Sequence, residues 1–382
     1  MTDKTVVVLG GGIGGLTAAR WLRRHLDADD RVVLVDRDAR PVFAPSLAWV
    51  MTGVRAPESI RRPLAALRRR GIEFRRAETQ AIDAGERVVD TSDGPLRFDR
   101  LVLALGAETA PGDLPGFAEA AHDFYTLAGA TSARDHLRTF SGGRVAVLVS
   151  QLPYKCPAAP CEAAFLAEAV LRARGVRAQV DIYTPEPFPL PTAGQAVGEA
   201  VRSMLGARGI GYQSGRQVER IEPEARRLVF TDASTTDYDL LLGIPPHRAP
   251  AVLGESGLAA PSGWGAVDAA TLATSAEGIY AIGDATAIPI AGGKLLPKAG
   301  VFAHAQAKVV ARRIADELAG REPRDAFDGR GSCFIELGDG RAGYATGDFY
   351  AAEAPQVKMR RPGRHWHLLR VAFEQYWLRG PW

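Results

Sequence analysis

The chain has 382 residues, of which 46 % are hydrophobic and 24 % are charged, and its formal net charge is +3. This length allows about two or three domains with separate cores, and so small a net charge does not indicate nucleic-acid binding. Three cysteines are too few for a secreted disulfide scaffold, and no apolar run is long enough to span a bilayer. The first residues show no pattern of a secretory signal, so we expect a cytoplasmic protein.

The beginning of the chain predicts a βαβ unit. A valine-rich strand over residues 5–9 precedes a glycine run at residues 10–15 and a helix that continues through about residue 25. A second strand follows at residues 31–35. This order of strand, glycine run, helix and strand is typical of a domain that binds a dinucleotide.

Three glycines in this run have the spacing G-x-G-x-x-G, namely Gly10, Gly12 and Gly15. In such a loop the glycines allow a tight turn, a close approach of the pyrophosphate, and close packing of the helix on the strand. The second strand ends at Asp36, where a carboxylate can accept hydrogen bonds from the adenosine ribose. Together these residues predict dinucleotide binding.

Two later segments resemble elements of flavin reductases and indicate that the dinucleotide is FAD. Residues 98–107 resemble the short strand-and-glycine element at which those proteins leave their first domain, and they include Gly106. Residues 278–285 resemble their late motif, whose aspartate holds the ribityl and phosphate region. In this chain the late motif contains Gly283 and Asp284.

The predicted fold class is α/β, with two Rossmann-like doubly wound domains and a C-terminal tail. We assign residues 1–112 and 264–320 to a discontinuous FAD domain and residues 113–263 to an inserted second domain. The tail, residues 321–382, has an apolar alternation broken by Gly-Asp-Gly, which is typical of a hairpin. An amphipathic helix follows, and we expect the tail to cover the flavin.

The second domain departs from a nicotinamide-binding domain at its first turn. A predicted strand near residues 144–149 leads into a helix, where such domains have their glycine-rich loop. No glycine occurs between Gly143 and Gly175, and the turn contains prolines and Cys156. Side chains at this turn deny a pyrophosphate the bare N–H groups that it needs. We therefore predict one FAD, no pyridine nucleotide, and a thiol in place of the second nucleotide.

Short motifs spread over nearly the whole chain resemble the sulfide:quinone oxidoreductases, to which the flavin subunit of flavocytochrome c sulfide dehydrogenase is closely related. The most specific motif is Cys-Pro-x-x-Pro-x-Glu. The motifs are Pro153–Glu162, Pro245–His247, Pro297–Gly300, Cys333 and Arg370–Tyr376. The resemblance implies bound FAD, oxidation of sulfide at a cysteine pair, and transfer of two electrons to an acceptor.

The chain also departs from the pattern of this family. Many members have a third redox cysteine followed by threonine, whereas Tyr125-Thr126 occupies the matching place here. Arg370 stands where lysine is usual. Fuller members continue beyond the position of Trp382 into another amphipathic helix, which seats them on the membrane and closes the quinone site.

The resemblance implies that Cys156 and Cys333 form the redox pair. A disulfide sulfur is electrophilic toward HS⁻, and the attack leaves one persulfide and one thiolate. Cys156 precedes a predicted helix, a position that is expected to lower the pKa of a thiol. A local disulfide between Cys156 and Cys161 is the structural alternative, although Cys161 is otherwise expected only to pack in the core. Which cysteine contacts the flavin is left open.

Further residues near these motifs are predicted to belong to the site. Glu162, at the helix start, either moves protons at the sulfur site or only stabilises the helix dipole. Lys298 is expected to place positive charge near the flavin, and so to stabilise its anionic reduced form, with Gly300 beside it. Gly300 and Phe302 are expected to line the acceptor side of the ring.

The C-terminal segment, residues 365–382, is unusually aromatic, and within it Phe373 and Tyr376 are predicted to contact the acceptor. Aromatic residues flanked by arginines suit a bilayer interface. They also suit a homodimer contact or a helix that lies on the flavin domain. We expect no metal and no nucleic acid.

The resulting hypothesis is an FAD-dependent enzyme that oxidises sulfide or a small persulfide and reduces a quinone. If it binds a bilayer, we expect it on the cytoplasmic face of the inner membrane. A soluble dehydrogenase that reduces a cytochrome or another carrier protein is the first alternative. A non-catalytic flavin-binding redox sensor is the second.

Overall fold

The structure, a computed structural model, describes residues 3–379, so the end of the aromatic segment 365–382 lies outside the described residues. The N-terminal segment alternates strands with helices. Its elements are β1 (Thr5–Leu9), α1 (Ile13–His25), β2 (Arg31–Asp36), α2 (Leu47–Met51), β3 (Glu73–Arg76), β4 (Thr79–Asp83), β5 (Val88–Thr91), β6 (Leu96–Arg97), β7 (Arg100–Leu103) and β8 (Glu108–Thr109).

The inserted segment repeats this alternation and ends in a small meander. Its elements are α3 (Phe117–Ala120), β9 (His122–Asp123), α4 (Leu127–Thr139), β10 (Gly143–Val149), α5 (Ala159–Ala173), β11 (Ala178–Tyr183), α6 (Gln195–Gly206), β12 (Gly211–Gln213), β13 (Val218–Glu222), β14 (Arg227–Phe230), β15 (Thr235–Asp237), β16 (Leu240–Ile244) and β17 (His247–Arg248). The remaining elements are α7 (Ala251–Glu255), β18 (Ile279–Ala281), β19 (Pro289–Ile290), β20 (Lys294–Leu295), α8 (Gly300–Leu318), β21 (Arg330–Gly338), β22 (Arg341–Asp348), β23 (Gln356–Gly363) and α9 (Arg364–Arg379).

A parallel sheet with strand order β18-β7-β1-β2-β3 forms the centre of the first domain. Successive side chains of a strand point to opposite faces, so an uninterrupted apolar run is buried on both. Val6 and Val8 pack in a core shared with α1 and α8, whereas Val7 and Leu9 pack in a second core. The antiparallel β4-β5-β6 sheet and α7 cover that second core.

The second domain repeats this arrangement with a parallel sheet of order β12-β11-β10-β16-β9. Val145 and Val147 pack in the core that includes α5 and α6, while Ala146 and Leu148 pack with the antiparallel β13-β14-β15 sheet. The α/β class and the two Rossmann-like domains are thus confirmed. In each domain a small antiparallel sheet, and not a complete helical layer, covers the second face.

Two short antiparallel strands, β8 and β17, carry the chain from one domain to the other and back. After β17 the chain rejoins the first domain at once, because Val252, Leu253 and Leu258 pack with the strands of the first sheet. The packing therefore puts the boundary near residue 249, and not at the predicted residue 263. The pairing of the two crossing strands explains the difference, since it brings both crossings to one place.

The tail forms an antiparallel β21-β22-β23 sheet followed by α9. The predicted hairpin is present, and its turn residues Asp339 and Gly340 have φ angles of 54° and 65°, as a two-residue hairpin turn requires. The strand β23 was not predicted, since its exposed face carries cations such as Lys358 and Arg360. β21 contacts both α5 and α8, so the tail touches both domains.

Candidate active site

The glycine loop between β1 and α1 has the space that a pyrophosphate needs. Gly10 has a φ of 103°, and a Cβ there would lie 2.3 Å from a carbonyl oxygen just after β7. At Gly15 a Cβ would lie 1.8 Å from the Gly10 carbonyl oxygen, so neither position accepts a side chain. At Gly12 a Cβ would meet nothing within 4 Å. Open space therefore lies in front of the helix N-terminus, where phosphates bind.

Two carboxylates fit the rest of an FAD molecule. Asp36 ends β2 and accepts a hydrogen bond from the Gly11 N–H at 2.5 Å, which holds it beside the glycine loop. Asp284 follows Gly283, and its buried Oδ1 has no hydrogen-bond partner. A buried oxygen without a donor is costly unless a ligand supplies one, and a ribityl hydroxyl is such a donor. Gly106, with a φ of 74°, also borders open space.

The sulfur loop, residues 150–158, joins β10 to α5 at the carboxyl edge of the second sheet. Cys156 has a φ of 57°, a left-handed conformation that costs a residue with a side chain roughly 1 kcal/mol or more. Its N–H donates to the Lys298 carbonyl at 2.7 Å. The Tyr125 hydroxyl donates to the Lys155 carbonyl at 2.5 Å, and Lys155 Nζ donates to a carbonyl of the first domain at 3.1 Å. These bonds hold the strained thiol in place.

Cys156 and Cys333 lie together at this loop. Burial and the neighbouring Cys333 thiol raise the pKa of Cys156 well above its ordinary value, and burial raises the pKa of Cys333 to about 11. Cys161 points into the core, is 2 % exposed, and has Glu186 as its main charged neighbour. All three are free thiols. The structure therefore brings Cys156 to Cys333 and shows no local disulfide with Cys161.

The predicted lowering of the Cys156 pKa by a helix N-terminus is wrong. The Ala158 N–H and the Arg370 guanidinium do lower this pKa, but burial outweighs both. The helix begins at Ala159, after the cysteine, as predicted. Burial therefore favours the protonated form of these reduced thiols, and a nearby base would assist their chemistry.

Glu162, in the first turn of α5, is buried and forms an ion pair with Arg370 of α9. Its carboxylate also accepts a hydrogen bond from the Glu336 N–H of β21 at 3.3 Å. Burial raises the pKa of Glu162, while Arg370 opposes the rise. Its charge in turn raises the pKa values of Cys156 and Cys333, so it lies next to the thiol pair. This position favours proton transfer over a helix-dipole role.

Ion pairs and an aromatic ring fasten α9 over the site. The buried Arg370 guanidinium lies 4.7 Å from the centre of the Trp49 ring, which Arg55 also contacts at 4.7 Å. One turn further along α9, the buried Glu374 accepts hydrogen bonds from Arg55 and from the Ser46 hydroxyl. Breaking such a pair leaves an uncompensated buried charge. The inner face of α9 is therefore a fixed wall of the site.

The ammonium group of Lys298 binds groups of the protein itself. Its Nζ donates to the carbonyl oxygens of Asp284 at 2.8 Å and Thr286 at 2.9 Å, and it lies 3.3 Å from the centre of the Trp264 ring. Burial lowers its pKa to about 8, against the effect of the Asp284 carboxylate. The side chain thus supports the segment that contains Asp284, while the carbonyl of Lys298 supports Cys156. Direct contact with the flavin stays a prediction.

Gly300 and Phe302 have different surroundings. A Cβ at Gly300 would lie 2.5 Å from the Ile13 side chain, so the N-termini of α8 and α1 lie side by side near the dinucleotide site. Phe302 is 3 % exposed and packs against Phe327 and Phe349. Its packing therefore gives the predicted acceptor contact no support.

Phe373 and Tyr376 lie on the outer face of α9. They are 41 % and 52 % exposed, and Leu368 and Leu369 beside them are 65 % and 47 % exposed. We call these four residues the apolar face of α9. It points away from the buried ion pairs, and its contact with an acceptor stays a prediction.

Several residues of the site were not assigned from the sequence. Lys155 adjoins Cys156, and Glu336 lies three residues past Cys333, so closeness to a predicted cysteine was an available signal. Trp49 and His367 carry no such signal. Only the docking of α9 brings them to the site.

The described residues contain neither a metal site nor a helix suited to span a membrane. Within residues 3–379, no cluster of His, Cys, Asp and Glu is suited to hold a metal ion. Among the same residues, none of the helices is both long and apolar enough for a membrane span.

A surface cavity of about 890 Å³ lies at the amino ends of β10 and β11, whereas the sulfur loop follows the carboxyl end of β10. Ligands of this fold bind at carboxyl ends, so that cavity is separate from the site.

Known proteins resemble the chain over most of its length. The mitochondrial sulfide:quinone oxidoreductase of Mus musculus is 25 % identical over 362 residues, which cover 91 % of this chain and 78 % of that protein. The sulfide-quinone reductase of Aquifex aeolicus is 26 % identical over 396 residues, which cover 98 % and 90 %. The solved structure of the sulfide:quinone oxidoreductase from Aquifex aeolicus matches with a TM-score of 0.88 at 25 % identity, over 99 % of this chain and 91 % of that one. The resemblance inferred from the motifs is confirmed.

A family model for pyridine nucleotide-disulphide oxidoreductases matches residues 4–307. This range contains both parallel sheets, the glycine loop and the sulfur loop, whereas Cys333 and α9 lie beyond it. The match covers well over half of the chain. The chain therefore belongs to the pyridine nucleotide-disulphide oxidoreductase family.

Proposed function

We propose that this protein is an FAD-dependent sulfide:quinone oxidoreductase that oxidises sulfide through Cys156 and Cys333. The observation that carries the proposal is the meeting of these two thiols, from distant parts of the chain, at the loop that replaces a second nucleotide-binding loop. Glu162 lies beside them as a buried proton acceptor. The sulfide and quinone in the names of the relatives support the same donor and acceptor.

The residues at the site account for the sulfur steps. When oxidised, the pair is an electrophile that HS⁻ attacks, and one cysteine then carries the extra sulfur while the other leaves as a thiolate. Arg370 lies near both thiols and lowers the pKa of each, which helps a thiolate to form in a buried place. Glu162 accepts protons that the sulfur groups release. Bound FAD supplies the two-electron acceptor that connects this pair to the quinone.

An anaerobic titration of the FAD-loaded protein tests the proposal. Sulfide is expected to bleach the flavin absorbance, and a short-chain quinone is expected to restore it. A Cys333→Ser variant should lose the bleaching, whereas Ser332→Ala, next to it on β21, should keep it. If sulfide leaves the wild-type flavin oxidised, sulfide is not the donor. If the reduced flavin resists quinone but reacts with a cytochrome, the acceptor is a carrier protein.

We also propose that the apolar face of α9 docks on an anionic bilayer, the source of the quinone. The face exposes two leucines, a phenylalanine and a tyrosine in succession along one helix. Exposed cations lie at both ends of this helix and on the preceding strand, namely Lys358, Arg360, Arg361, Arg364 and Arg379. An apolar face with flanking cations suits an interfacial helix. Attachment to the cytoplasmic side of a membrane is part of this proposal.

Vesicle flotation tests the membrane proposal. The wild type should float with vesicles that contain anionic lipid, and a Leu369→Glu/Phe373→Glu variant should not. The matched control is Glu353→Gln, an exposed position outside α9. If the wild type stays in solution and sediments as a dimer that the double variant dissociates, the face is a contact between two copies.

A further inference from the structure

A glutamate–histidine pair connects the buried site to the protein surface. Glu336 Oε2 accepts a hydrogen bond from His367 Nδ1 at 2.9 Å. The Glu336 side chain is 2 % exposed, whereas that of His367 is 24 % exposed. The pair therefore has one member inside the site and one that reaches water. Neither the sulfur steps nor FAD binding uses it.

The other carboxylate oxygen of Glu336 is buried and lacks a hydrogen-bond partner. Glu336 Oε1 is buried and makes no hydrogen bond, and its nearest cation, Arg370 Nη1, is 3.9 Å away. The same Nη1 forms the ion pair with Glu162. A buried carboxylate oxygen without a hydrogen-bond donor is costly, so this oxygen is open to a donor that reaches it inside the site. The oxygen is thus placed to take up a proton from the direction of Glu162.

The charges around the pair come from four elements. The sulfur loop contributes Cys156, α5 contributes Glu162, β21 contributes Cys333 with Glu336, and α9 contributes His367 with Arg370. Arg55 also contacts the Trp49 ring and forms an ion pair with Glu374. The fixed guanidinium of Arg370 lies between the carboxylates of Glu162 and Glu336. It offsets the negative charge that moves as a proton passes between them.

We propose that Glu336 and His367 form the path by which Glu162 exchanges protons with solvent during sulfide oxidation. The path rests on the proposed function. HS⁻ attacks the Cys156–Cys333 disulfide, the S–S bond breaks, one cysteine gains the S–H group as a persulfide, and the other leaves as a thiolate with the electron pair. The persulfide proton passes to Glu162, then to Glu336 and His367, and His367 releases it to water. A new S–S bond between the outer persulfide sulfur and the thiolate would then oxidise the two sulfur groups by two electrons, which bound FAD would accept and pass to the quinone.

An imidazole suits the outer end of this path, because it has two ring nitrogens, one of which can face a carboxylate while the other faces water. In this path Glu336 and His367 are positioning and relay residues, since neither touches the sulfur atoms. A purely structural role would make the pair only a fastener of α9. The two roles are distinguishable, because a small proton carrier can replace a missing relay group but cannot replace a missing structural contact.

Stopped-flow reduction of the FAD-loaded protein by sulfide tests the path. His367→Ala and Glu336→Gln are expected to slow bleaching about 100-fold at unchanged sulfide affinity, since a proton transfer becomes limiting. The solvent deuterium isotope effect should rise in both. Free imidazole should restore the rate of His367→Ala. His365→Gln, an exposed histidine on the same helix, is the matched control and should behave as the wild type.

A second measurement tests proton exchange between Glu162 and solvent in the absence of sulfide. Infrared spectroscopy at acidic pH follows hydrogen–deuterium exchange of the Glu162 carboxyl, whose band is assigned by its loss in Glu162→Gln. His367→Gln should slow this exchange at least about 10-fold. Wild-type exchange rates in His367→Gln, or slowed bleaching that imidazole does not restore, would overturn the path. A wild type that sulfide cannot bleach refutes the proposed function, and the exchange rates then decide on the proton path alone.

Discussion

Two loops occupy the same topological position in the two Rossmann-like domains. One leaves space for a phosphate, and the other fills that space and holds a thiol. The glycine loop follows β1 and reaches α1 within residues 10–12, whereas the sulfur loop follows β10 and needs residues 150–158 to reach α5. The first leaves open space at Gly12 in front of a helix. The second fills that place with side chains and holds Cys156 in a left-handed conformation.

The difference shows how one fold position serves two chemistries. A phosphate is bound by backbone N–H groups and the helix dipole, so side chains must be absent. A redox thiol must be held in one place, so side chains must fix the loop. Tyr125 and Lys155 do this by hydrogen bonds, and the backbone of Lys298 adds another. In the second domain the loop has therefore exchanged a nucleotide site for a sulfur site.

The largest expected effect comes from removing the sulfur at the second loop. Cys156→Ser should slow sulfide-dependent flavin bleaching on the order of 10³-fold or more, because the hydroxyl can neither form the redox pair nor carry the extra sulfur. Stopped-flow absorbance measures the rate of this bleaching. Flavin content should not change, since the first loop is untouched. Cys161→Ala is the matched control, and its bleaching should stay within a few-fold of the wild type. Equal losses in both variants would contradict the assignment of Cys156.

The next largest effect comes from filling the glycine loop. Gly15→Val should destabilise the FAD domain by at least about 3 kcal/mol and abolish flavin binding, because even a Cβ would lie 1.8 Å from the Gly10 carbonyl oxygen. Flavin absorbance per protein and thermal unfolding measure this. Gly112→Ala, where a Cβ meets nothing within 4 Å, is the control. A yellow Gly15→Val protein would show that this loop does not hold the cofactor.

A smaller effect concerns the pH dependence of the folding stability, through Glu186, which holds Tyr154 of the sulfur loop. The Tyr154 hydroxyl donates to the buried Glu186 Oε2 at 3.0 Å, and burial raises the pKa of Glu186 from 4.5 to about 7. Between these values the folded state binds more protons than the unfolded state, so this group makes stability fall as pH rises. The loss is complete above about pH 7 and amounts to no more than about 3 kcal/mol.

Denaturant unfolding at several pH values tests this sign. The wild type should lose stability relative to Glu186→Gln as pH rises from 4.5 toward 7, because the amide does not ionise. Glu199→Gln, on the exposed side of α6, is the control and should not reproduce the change. A wild type that gains stability over Glu186→Gln in this window would refute the argument.

The smallest effect concerns a single hydroxyl. Tyr125→Phe removes the donor to the part-buried Lys155 carbonyl oxygen, which should cost about 1 kcal/mol. The loosened loop should expose Cys156, so alkylation of this thiol should become several-fold faster. Mass spectrometry of the modified peptide measures it. Tyr376→Phe, on the exposed face of α9, should leave the alkylation rate unchanged.

The first domain was predictable from short sequence motifs. The apolar run of β1, the three glycines and Asp36 lie within a single βαβ unit, so their contacts are set by nearby residues. The same holds for β10, β11 and the hairpin turn at Asp339 and Gly340. The domain boundary after β17 was misjudged because it depends on the pairing of two strands far apart in sequence.

The sequence by itself determined the two Rossmann-like units, the glycine loop, the absence of a second such loop and the motifs that carry the family resemblance, because each depends on residues that are neighbours along the chain. Only the tertiary structure decided which cysteine lies beside Cys156, that burial raises its pKa, and that Glu162 pairs with Arg370. It also decided that Glu336 and His367 connect this site to the surface. Those facts depend on how the tail packs across both domains, and burial and charge pairing between distant segments leave no periodic trace in a sequence.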